Sequence, residues 1–489
     1  MRRVYCRFGI PALTDSFTSA LTRASSRLSP PVTPLRSALI HVGIFLAWTL
    51  LLLVGFLRGG VLAWSVGIVY VLYDSCLQLF VVRQTWPLLR ESRGARPAGE
   101  PCRVGVIVAA HNEARVLSAM ISALRSQHEP PDRIVIADDG SSDLSATLLS
   151  ARYGLVAPAM GQLSASSAQF PGLFWLRLPH GGKARALNAA ILLLDTEVVL
   201  TVDADTLLDV GAIAAVRRAF GNEPGLVAAT GVITPVCEST LGGRIFEWFQ
   251  THEYIRNFLA RYAWMQANSL LLVSGAFAGF RRDALLAVGG FDPACLVEDY
   301  ELIHRMRRYA VDSGRDWRFR VLGDARARTE APGTIAAFLR QRRRWFGGFL
   351  ETQYWYRAMV GDRRYGCLGL FMLPVKAFDT LQPLYGLTAF FLLFGYLATG
   401  RFDVLIPVAG IVSGKLVLDL AFHAWSVYLY GRWVGNQNGA RFGRALGAAL
   451  IEPLSFQLLR HLGAMLGWIA FLRGRCDWGR PSRFGFTRD

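Results

Sequence analysis

Lysine is scarce in this sequence of 489 residues. Lysine occurs only at Lys183, Lys376 and Lys415, so the formal net charge of +17 is carried almost entirely by arginine. Charged residues make up only 18% of the chain, whereas 52% of the residues are hydrophobic. This composition excludes a disordered chain and indicates a membrane protein. The basic excess leaves three partners open: nucleic acid, an anionic membrane surface and a phosphorylated substrate.

Cysteine is also infrequent, and the spacing of the cysteines argues against two kinds of cysteine-based structure. The seven cysteines are scattered without a CxxC pair or a histidine at ligand spacing. This pattern argues against a zinc site and against a disulfide framework. We interpret the cysteines as reduced thiols in a protein whose chemistry faces the cytosol.

Long apolar runs divide the chain. Residues 38–57 carry no charge and residues 61–82 carry only Asp74, so we predict a transmembrane hairpin over 38–82. A C-terminal transmembrane bundle is predicted over 375–472. Its last segment is interrupted by Glu452, Pro453, Arg460 and His461, and we expect that segment to be broken or re-entrant.

The arginines around these runs indicate the orientation of the chain. They crowd the outer flanks of the hairpin, so the positive-inside rule places both of its ends in the cytoplasm. We therefore expect a multi-pass protein of the plasma (inner) membrane with a cytosolic domain over 101–332. Residues 1–37 are expected to form a disordered basic tail, and residues 473–489 a cytosolic tail.

Three charged residues, Asp379, Lys415 and Asp419, fall inside the apolar runs, where a charge is costly. Lys415 and Asp419 are four residues apart and could pair on one helix face. Alternatively, all three could line a hydrated path. The sequence leaves both explanations open.

The middle of the chain alternates between strand-like and helix-like segments. Short β-branched runs at 103–110, 133–139, 173–178 and 198–203 are each followed by a helix-like stretch. This alternation predicts an α/β fold with a doubly wound, mostly parallel sheet. Ligands of such sheets bind beyond the C-terminal ends of the strands, where the polar motifs of this sequence fall.

Three polar motifs follow strands, and each has an ordinary structural explanation as well. Glu113 ends a His-Asn-Glu triplet and Asp139 precedes a Gly-Ser turn, which is also a common helix cap. Lys183 follows two glycines at a helix start, a pattern that favours an anion such as a diphosphate. Asp203 and Asp205 form a D-x-D whose oxygens suit Mg²⁺ or Mn²⁺.

Two further motifs lie later in the chain. Glu298 and Asp299 open a helix, where the helix dipole favours acids in any case, although either carboxylate could act as a general base. Gln341, Arg344 and Trp345 belong to an amphipathic region predicted over 333–374. Taken alone, that region is typical of helices at a membrane interface.

Together and in this order, the motifs resemble the processive family 2 glycosyltransferases, which include cellulose, hyaluronan, chitin and poly-N-acetylglucosamine synthases. The family pattern is D, D-x-D, T/G-E-D and Q-x-x-R-W. It corresponds here to Asp139, the pair Asp203 and Asp205, the pair Glu298 and Asp299, and the set Gln341, Arg344 and Trp345. The resemblance covers about residues 104–348. Val297 replaces the usual Thr or Gly, which puts details of the acceptor site in doubt.

The resemblance implies a GT-A-type catalytic domain inserted between N- and C-terminal transmembrane helices. It implies roles for the site residues: Glu113, Asp139, Lys183 and Asp203 for the UDP-sugar donor, Asp203 and Asp205 for Mg²⁺ or Mn²⁺, Asp299 as the base with Glu298 beside it, and Gln341, Arg344 and Trp345 for the diphosphate and the acceptor.

The expected reaction is inverting transfer from a UDP-sugar to a growing β-linked polysaccharide, coupled to its translocation across the bilayer. The alternative within this class is non-processive transfer of one sugar to a lipid or protein acceptor. A non-catalytic membrane scaffold is disfavoured because every acid that the chemistry needs is present. An accessory membrane subunit is a conceivable partner, whereas nucleic acid is not expected, since the basic residues cluster at span ends and around Gln341.

Overall fold

The computed structural model describes residues 11–90, 102–435 and 440–474. The helices up to residue 312 are α1 (Pro11–Ala24), α2 (Leu35–Leu57), α3 (Ser65–Thr85), α4 (Ala114–Arg125), α5 (Ser145–Tyr153), α6 (Lys183–Leu193), α7 (Ala212–Asn222), α8 (Leu241–Gln266), α9 (Arg282–Val288) and α10 (Glu298–Asp312). The later helices are α11 (Ile335–Trp355), α12 (Leu373–Ala398), α13 (Phe402–Val434), α14 (Ala440–Ile451) and α15 (Phe456–Leu472). The strands are β1 (Val104–Ala110), β2 (Arg133–Asp139), β3 (Leu173–Leu178), β4 (Val198–Asp203), β5 (Thr206–Leu208), β6 (Leu226–Val236), β7 (Phe277–Arg281) and β8 (Arg318–Glu330).

The strands form one sheet in the order β3-β2-β1-β4-β7-β6-β8-β5. The first four are parallel, as the sequence predicted, and their apolar residues are buried because helices cover the sheet. Strand β7 is inserted antiparallel between β4 and β6, and β6 runs parallel to β8. The prediction of an α/β fold with a mostly parallel sheet is therefore confirmed, and the antiparallel pairs are those of β7 with β4 and β6 and of β5 with β8.

This topology brings several chain segments to one edge of the sheet. Strands β1, β2, β3 and β4 all end there, and β7 begins there because Phe277 pairs with Val202. The segment before β7 consequently lies beside the end of β4, where the amide of Asp203 donates a hydrogen bond to the carbonyl of Ala276. The polar motifs that follow the strands are gathered at this edge.

Within the described residues, four segments are long and apolar enough to cross a membrane: Leu35–Leu57, Gly60–Leu89, Leu368–Ala398 and Phe402–Val434. They coincide with the four uninterrupted apolar runs of the sequence. The fifth run is divided into α14 and α15 by a short 3₁₀ turn at Glu452–Leu454. The break falls at the Glu-Pro pair from which the sequence predicted it.

The polar residues inside the spans have partners. Lys415 pairs with Asp419 and also lies 2.7 Å from Asp74 of α3. Asp379 is held by Lys376 at 2.6 Å and accepts a hydrogen bond from Tyr73. Pairing of Lys415 with Asp419, one of the two explanations left open, is thus present, and it accounts for the presence of these charges without a hydrated path.

The structure differs from the disordered tail expected over 1–37, of which residues 1–10 lie outside the described part. Helix α1 packs on the α/β domain, where backbone and side-chain atoms of Leu21 and Phe17 would contact a Cβ at Gly289 or Gly290. Arg27 then makes two hydrogen bonds, of 2.8 and 2.7 Å, to the fully buried carboxylate of Asp292. Arg27 provides the counter-charge for the buried carboxylate of Asp292, and this ion pair orders the segment around α1. A composition rich in Arg, Ser and Pro did not indicate such a contact.

Helix α10 contains a buried imidazole that makes stability sensitive to acid. Nδ1 of His304 donates to the carbonyl of Tyr300 at 2.9 Å, and burial lowers the pKa of His304 to about 4. The pKa of a histidine in an unfolded chain is near 6.5. Below that pH the unfolded chain therefore binds a proton that the folded chain does not bind, and the free energy of unfolding falls.

We expect this histidine to reduce the free energy of unfolding by about 2 kcal/mol between pH 7 and pH 5. The variant His304→Gln should lack that increment, so its thermal midpoint in detergent should fall less between the two pH values. Equal acid sensitivity in the two proteins would contradict the assignment.

Candidate active site

Asp139 ends β2 and holds the glycine-rich loop before α6. Its two carboxylate oxygens accept hydrogen bonds from the amides of Gly181 and Gly182, at 2.8 and 2.9 Å. The next residue, Gly140, has φ 69°, and a Cβ there would come within 2.7 Å of the His180 amide nitrogen. The Asp-Gly sequence is therefore required for a close approach of two loops, and it is more than an ordinary turn.

Two imidazoles stack on each other beside Asp139. The rings of His111 and His180 are 4.3 Å apart, and Nδ1 of each donates to the carbonyl of Asp139, at 2.9 and 3.1 Å. Ligand atoms of His111, Asp139 and His180 lie within 4.8 Å of one another, as a metal site would require. Because the Asp139 carboxylate already accepts two amides, we interpret the group primarily as a brace for the glycine-rich loop.

Lys183 begins α6 and places its ammonium group among acids. Its Nζ lies 2.5 Å from Oδ1 of Asp203 and 3.6 Å from Oε1 of Glu298. Burial alone lowers the pKa of Lys183, but the charges of Asp203 and Glu298 outweigh it and raise that pKa above the usual value. Burial raises the pKa of Glu298, against the opposing charge of Lys183. The positive ammonium group of Lys183 thus lies where a diphosphate or a metal ion would have to bind.

Two backbone amides orient the carboxylate of Asp299. Oδ2 accepts from Gly275 at 2.7 Å, and Oδ1 accepts from Tyr300 at 2.8 Å. A Cβ at Gly275 would come within 2.9 Å of Oδ2, so only glycine permits this contact. The two oxygens retain further lone pairs, which can accept a hydrogen bond from a substrate hydroxyl.

Helix α11 brings the third group of residues to the acids. Gln341, Arg344 and Trp345 recur at helical spacing on one face, and the positive charge of Arg344 acts on Glu298. A Cβ at Gly348 would come within 2.6 Å of Val297, so α11 packs directly against the residue that precedes Glu298. Oε1 of Gln341 is buried and has no hydrogen-bond partner within the described chain, so it can accept a hydrogen bond from a ligand.

The remaining two site residues lie at the same edge but outside this contact group. Glu113 is buried at the start of α4, just beyond β1. Asp205 is buried, and its Oδ1 is 3.5 Å from the hydroxyls of Thr206 and Thr329. The contacts thus join Lys183, Asp203 and Glu298 directly, whereas Asp205 is connected to Asp203 through the backbone.

Oxygen ligands dominate this part of the site. Asp203, Asp205 and Glu298 provide carboxylate oxygens, the donors that Mg²⁺ and Mn²⁺ prefer. Lys183 contacts Asp203 and Glu298, and the positive charge of Arg344 also acts on Glu298. A divalent cation would add positive charge beside these acids. The residues are therefore compatible with a metal of this class.

The sequence did not reveal two elements of the site. Gly275 lies within the region of family resemblance but in none of the motifs described for it, and its amide holds Asp299. His111 and His180 lie in motifs that were identified for Glu113 and Lys183, but their stacking needed two loops 69 residues apart to meet. A histidine in each of two motifs at one sheet edge was the only available signal.

Two family models match the chain. "Glycosyl transferase family 2" matches residues 105–289, and "Glycosyl transferase family group 2" matches residues 198–413. Together they span residues 105–413, which include every site residue described above, and the chain belongs to the family 2 glycosyltransferases.

Curated proteins similar to this chain include two synthases of one polysaccharide. The chain is 28% identical over 250 residues to a poly-β-1,6-N-acetyl-D-glucosamine synthase of Staphylococcus epidermidis, over 51% of this chain and 55% of the relative. It is 26% identical over 247 residues to the enzyme of the same name from Staphylococcus aureus, over 50% of this chain and 54% of the relative. The matched region thus spans about half the length of these relatives.

A solved structure supports the fold. It is the mannosyltransferase PcManGT from Pyrobaculum calidifontis in complex with GDP-Man and Mn²⁺, with a TM-score of 0.53 and 19% identity over 81% of this chain and 99% of that chain. The likeness confirms a glycosyltransferase fold of the GT-A type flanked by apolar helices.

Proposed function

We propose that this protein is a membrane-integrated inverting glycosyltransferase that transfers a sugar from a UDP-sugar to a growing β-linked polysaccharide. One observation carries the proposal: Lys183 lies between Asp203 and Glu298, beside an Asp299 carboxylate that the Gly275 amide orients. A cationic group for a diphosphate thus adjoins an oriented base, the combination that glycosyl transfer requires.

In the proposed reaction Asp299 accepts the proton of the acceptor hydroxyl. The hydroxyl oxygen then forms a bond to the anomeric carbon, while the bond from that carbon to the diphosphate oxygen breaks and the diphosphate takes the electron pair. Lys183 and Arg344 stabilise the charge that grows on the diphosphate. Trp345 offers an apolar face to the acceptor sugar, and Gln341 offers an amide oxygen.

A divalent metal is part of the proposal. Asp203 and Asp205 would hold it, and when bound it would supply further positive charge beside the diphosphate. The carboxylate donors support this assignment, as does the Mn²⁺ named for PcManGT. Glu113 and Asp139 are proposed for the nucleoside, Asp139 through the loop that it orders.

The relatives suggest the sugar and the mode of synthesis. Both synthases named above polymerise N-acetylglucosamine by their printed names, so we propose UDP-N-acetylglucosamine as the donor and processive synthesis as the mode. We further propose that the catalytic domain faces the cytosol and that the product is translocated. Hydrogen-bonded polar side chains between α3, α12 and α15 support this last step: Tyr70, Gln382, Gln457 and His461.

The test is incubation of the purified protein with radiolabelled UDP-sugars, GDP-mannose and Mg²⁺ or Mn²⁺, scoring both donor consumption and product size. We expect consumption of UDP-N-acetylglucosamine and a long product. A product of one added sugar would instead support the non-processive alternative, and no transfer from any donor would refute the proposed activity.

Sealed vesicles separate synthesis from translocation. With the catalytic domain outside and the donor supplied outside, the product should become resistant to an added glycosidase. Product that stays fully accessible would refute translocation while leaving the transferase assignment intact.

A further inference from the structure

A group of two buried carboxylates and three partly buried guanidinium groups links α11 to the break between α14 and α15. Glu253 and Arg256 lie on α8, Arg342 on α11, Arg460 on α15 and Glu452 in the 3₁₀ turn that separates α14 from α15. We call these five residues the charge cluster. Glu253 and Glu452 are almost fully buried, with side-chain exposures of 3% and 8%.

The contacts of the charge cluster are continuous. Arg342 lies 2.7 Å from Glu253, and Arg460 bridges Glu253 at 3.7 Å to Glu452 at 3.1 Å. Arg256 makes two hydrogen bonds to Glu452, of 2.7 and 2.6 Å. Glu452 and Arg460, two of the residues that interrupt the last apolar run, are therefore parts of one ion-pair group that the proposed reaction does not use.

One end of the charge cluster contacts a residue of the candidate site. The guanidinium carbon of Arg342 lies 4.7 Å from the ring centre of Trp345, within the range of a cation–π contact. The carboxylate of Glu253 thus fixes a guanidinium that in turn supports the indole. Trp345 is the side chain assigned above to the acceptor sugar.

The backbones around this contact are packed closely. A Cβ at Gly463 of α15 would lie 2.6 Å from Cβ of Arg342, and one at Gly467 would lie 2.8 Å from Cβ of Phe346. Glycines on α15 therefore let α11 approach, and the base of the Arg342 side chain is packed directly against α15. The cluster and the helix packing together restrict the orientation of Trp345.

Stability does not explain such a group. Buried ion pairs lose hydration that their attraction only partly restores, so well-packed apolar residues in their place are often no less stable. Their better-attested use is to specify one arrangement among several. The arrangement specified here is that of α11 relative to α8 and α15.

We propose that Glu253 is a positioning residue: through Arg342 it orients Trp345 toward the acceptor and so sets how long the growing glycan is retained. This proposal rests on the proposed function. It assigns Glu253 no contact with substrate, so the binding of the donor should not depend on it.

The test compares Glu253→Gln with the unaltered protein in detergent, using UDP-N-acetylglucosamine, or the donor found active in the panel above. We expect the mean product length to fall by about fivefold or more, while the KM for the donor stays within about twofold. Glu253→Asp, which retains the charge, should restore part of the length.

Glu223→Gln is the matched control. Glu223 also holds two arginines, Arg318 and Arg320, but it lies at the opposite edge of the sheet, so its substitution should leave product length unchanged. If Glu253→Gln does not fold, the double variant Glu253→Gln/Arg342→Met removes both charges and leaves neither partner of that pair unmatched. It too should give short products.

The outcomes separate the two proposals. Normal product length in a folded Glu253 variant or in the double variant, or an equal loss in Glu223→Gln, would overturn the positioning role. A rise in donor KM that parallels the loss of length would overturn it as well. Absence of any glycan from the unaltered protein would instead refute the proposed function.

Discussion

Replacing Asp299 by asparagine is expected to lower kcat by about 10²- to 10⁴-fold, the usual contribution of a positioned general base. The amide keeps the size of the side chain, and its oxygen can still accept one of the backbone hydrogen bonds from Gly275 and Tyr300. It cannot accept the proton of the acceptor hydroxyl. Initial rates of transfer at saturating donor provide the measurement.

A matched substitution tests specificity. Asp312→Asn makes the same chemical change at the exposed C-terminal end of the same helix, and its rate should stay close to that of the unaltered protein. Binding of UDP, measured by calorimetry, should be nearly equal in all three proteins. Retained activity in Asp299→Asn would remove this residue from the role of base and direct attention to Glu298.

Replacing Lys183 by methionine is expected to lower kcat by about 10²- to 10³-fold, the scale seen when one electrostatic donor is removed from a transition state. The apolar stem is retained, so the loss is that of the ammonium group. In addition, Asp203 and Glu298 lose the cation that separates them, which should weaken binding of the anionic donor. Both kcat and the donor KM should therefore change, measured over a range of donor concentrations.

Two control variants accompany this experiment. Lys183→Arg retains the charge and should recover part of the activity. Arg185→Met removes a charge from an exposed position two residues further along α6, and we expect little effect. If Lys183→Met left kcat and donor KM within about twofold of the unaltered values, the diphosphate role of Lys183 would be refuted.

The sequence predicted those parts of the fold that depend on local pattern. Strands β1 to β4 were recognised because each is a short apolar run, and the motifs could be placed because all four strands end at one edge. The four apolar spans were recognised from length and composition. The antiparallel insertion of β7 was not, because it depends on pairing between strands far apart in the chain.

The site was predictable to a similar extent. Acids and basic residues could be identified from the family pattern, but the groups that hold them could not. The Gly275 amide reaches Asp299 across 24 residues, and Glu253 reaches Arg342 across 89. Such contacts are specified by tertiary packing, since neither local propensity nor spacing along the chain determines them.

The pair of Arg27 and Asp292 has a consequence for the order of synthesis. The two residues are 265 positions apart, and the apolar segments Leu35–Leu57 and Gly60–Leu89 lie between them. Domains generally begin to fold from the N-terminus as the ribosome releases them, at about 5–20 residues per second. Helix α1 is therefore released well before its partner Asp292. We expect the docking of α1 onto the α/β domain to be a late step of folding during synthesis.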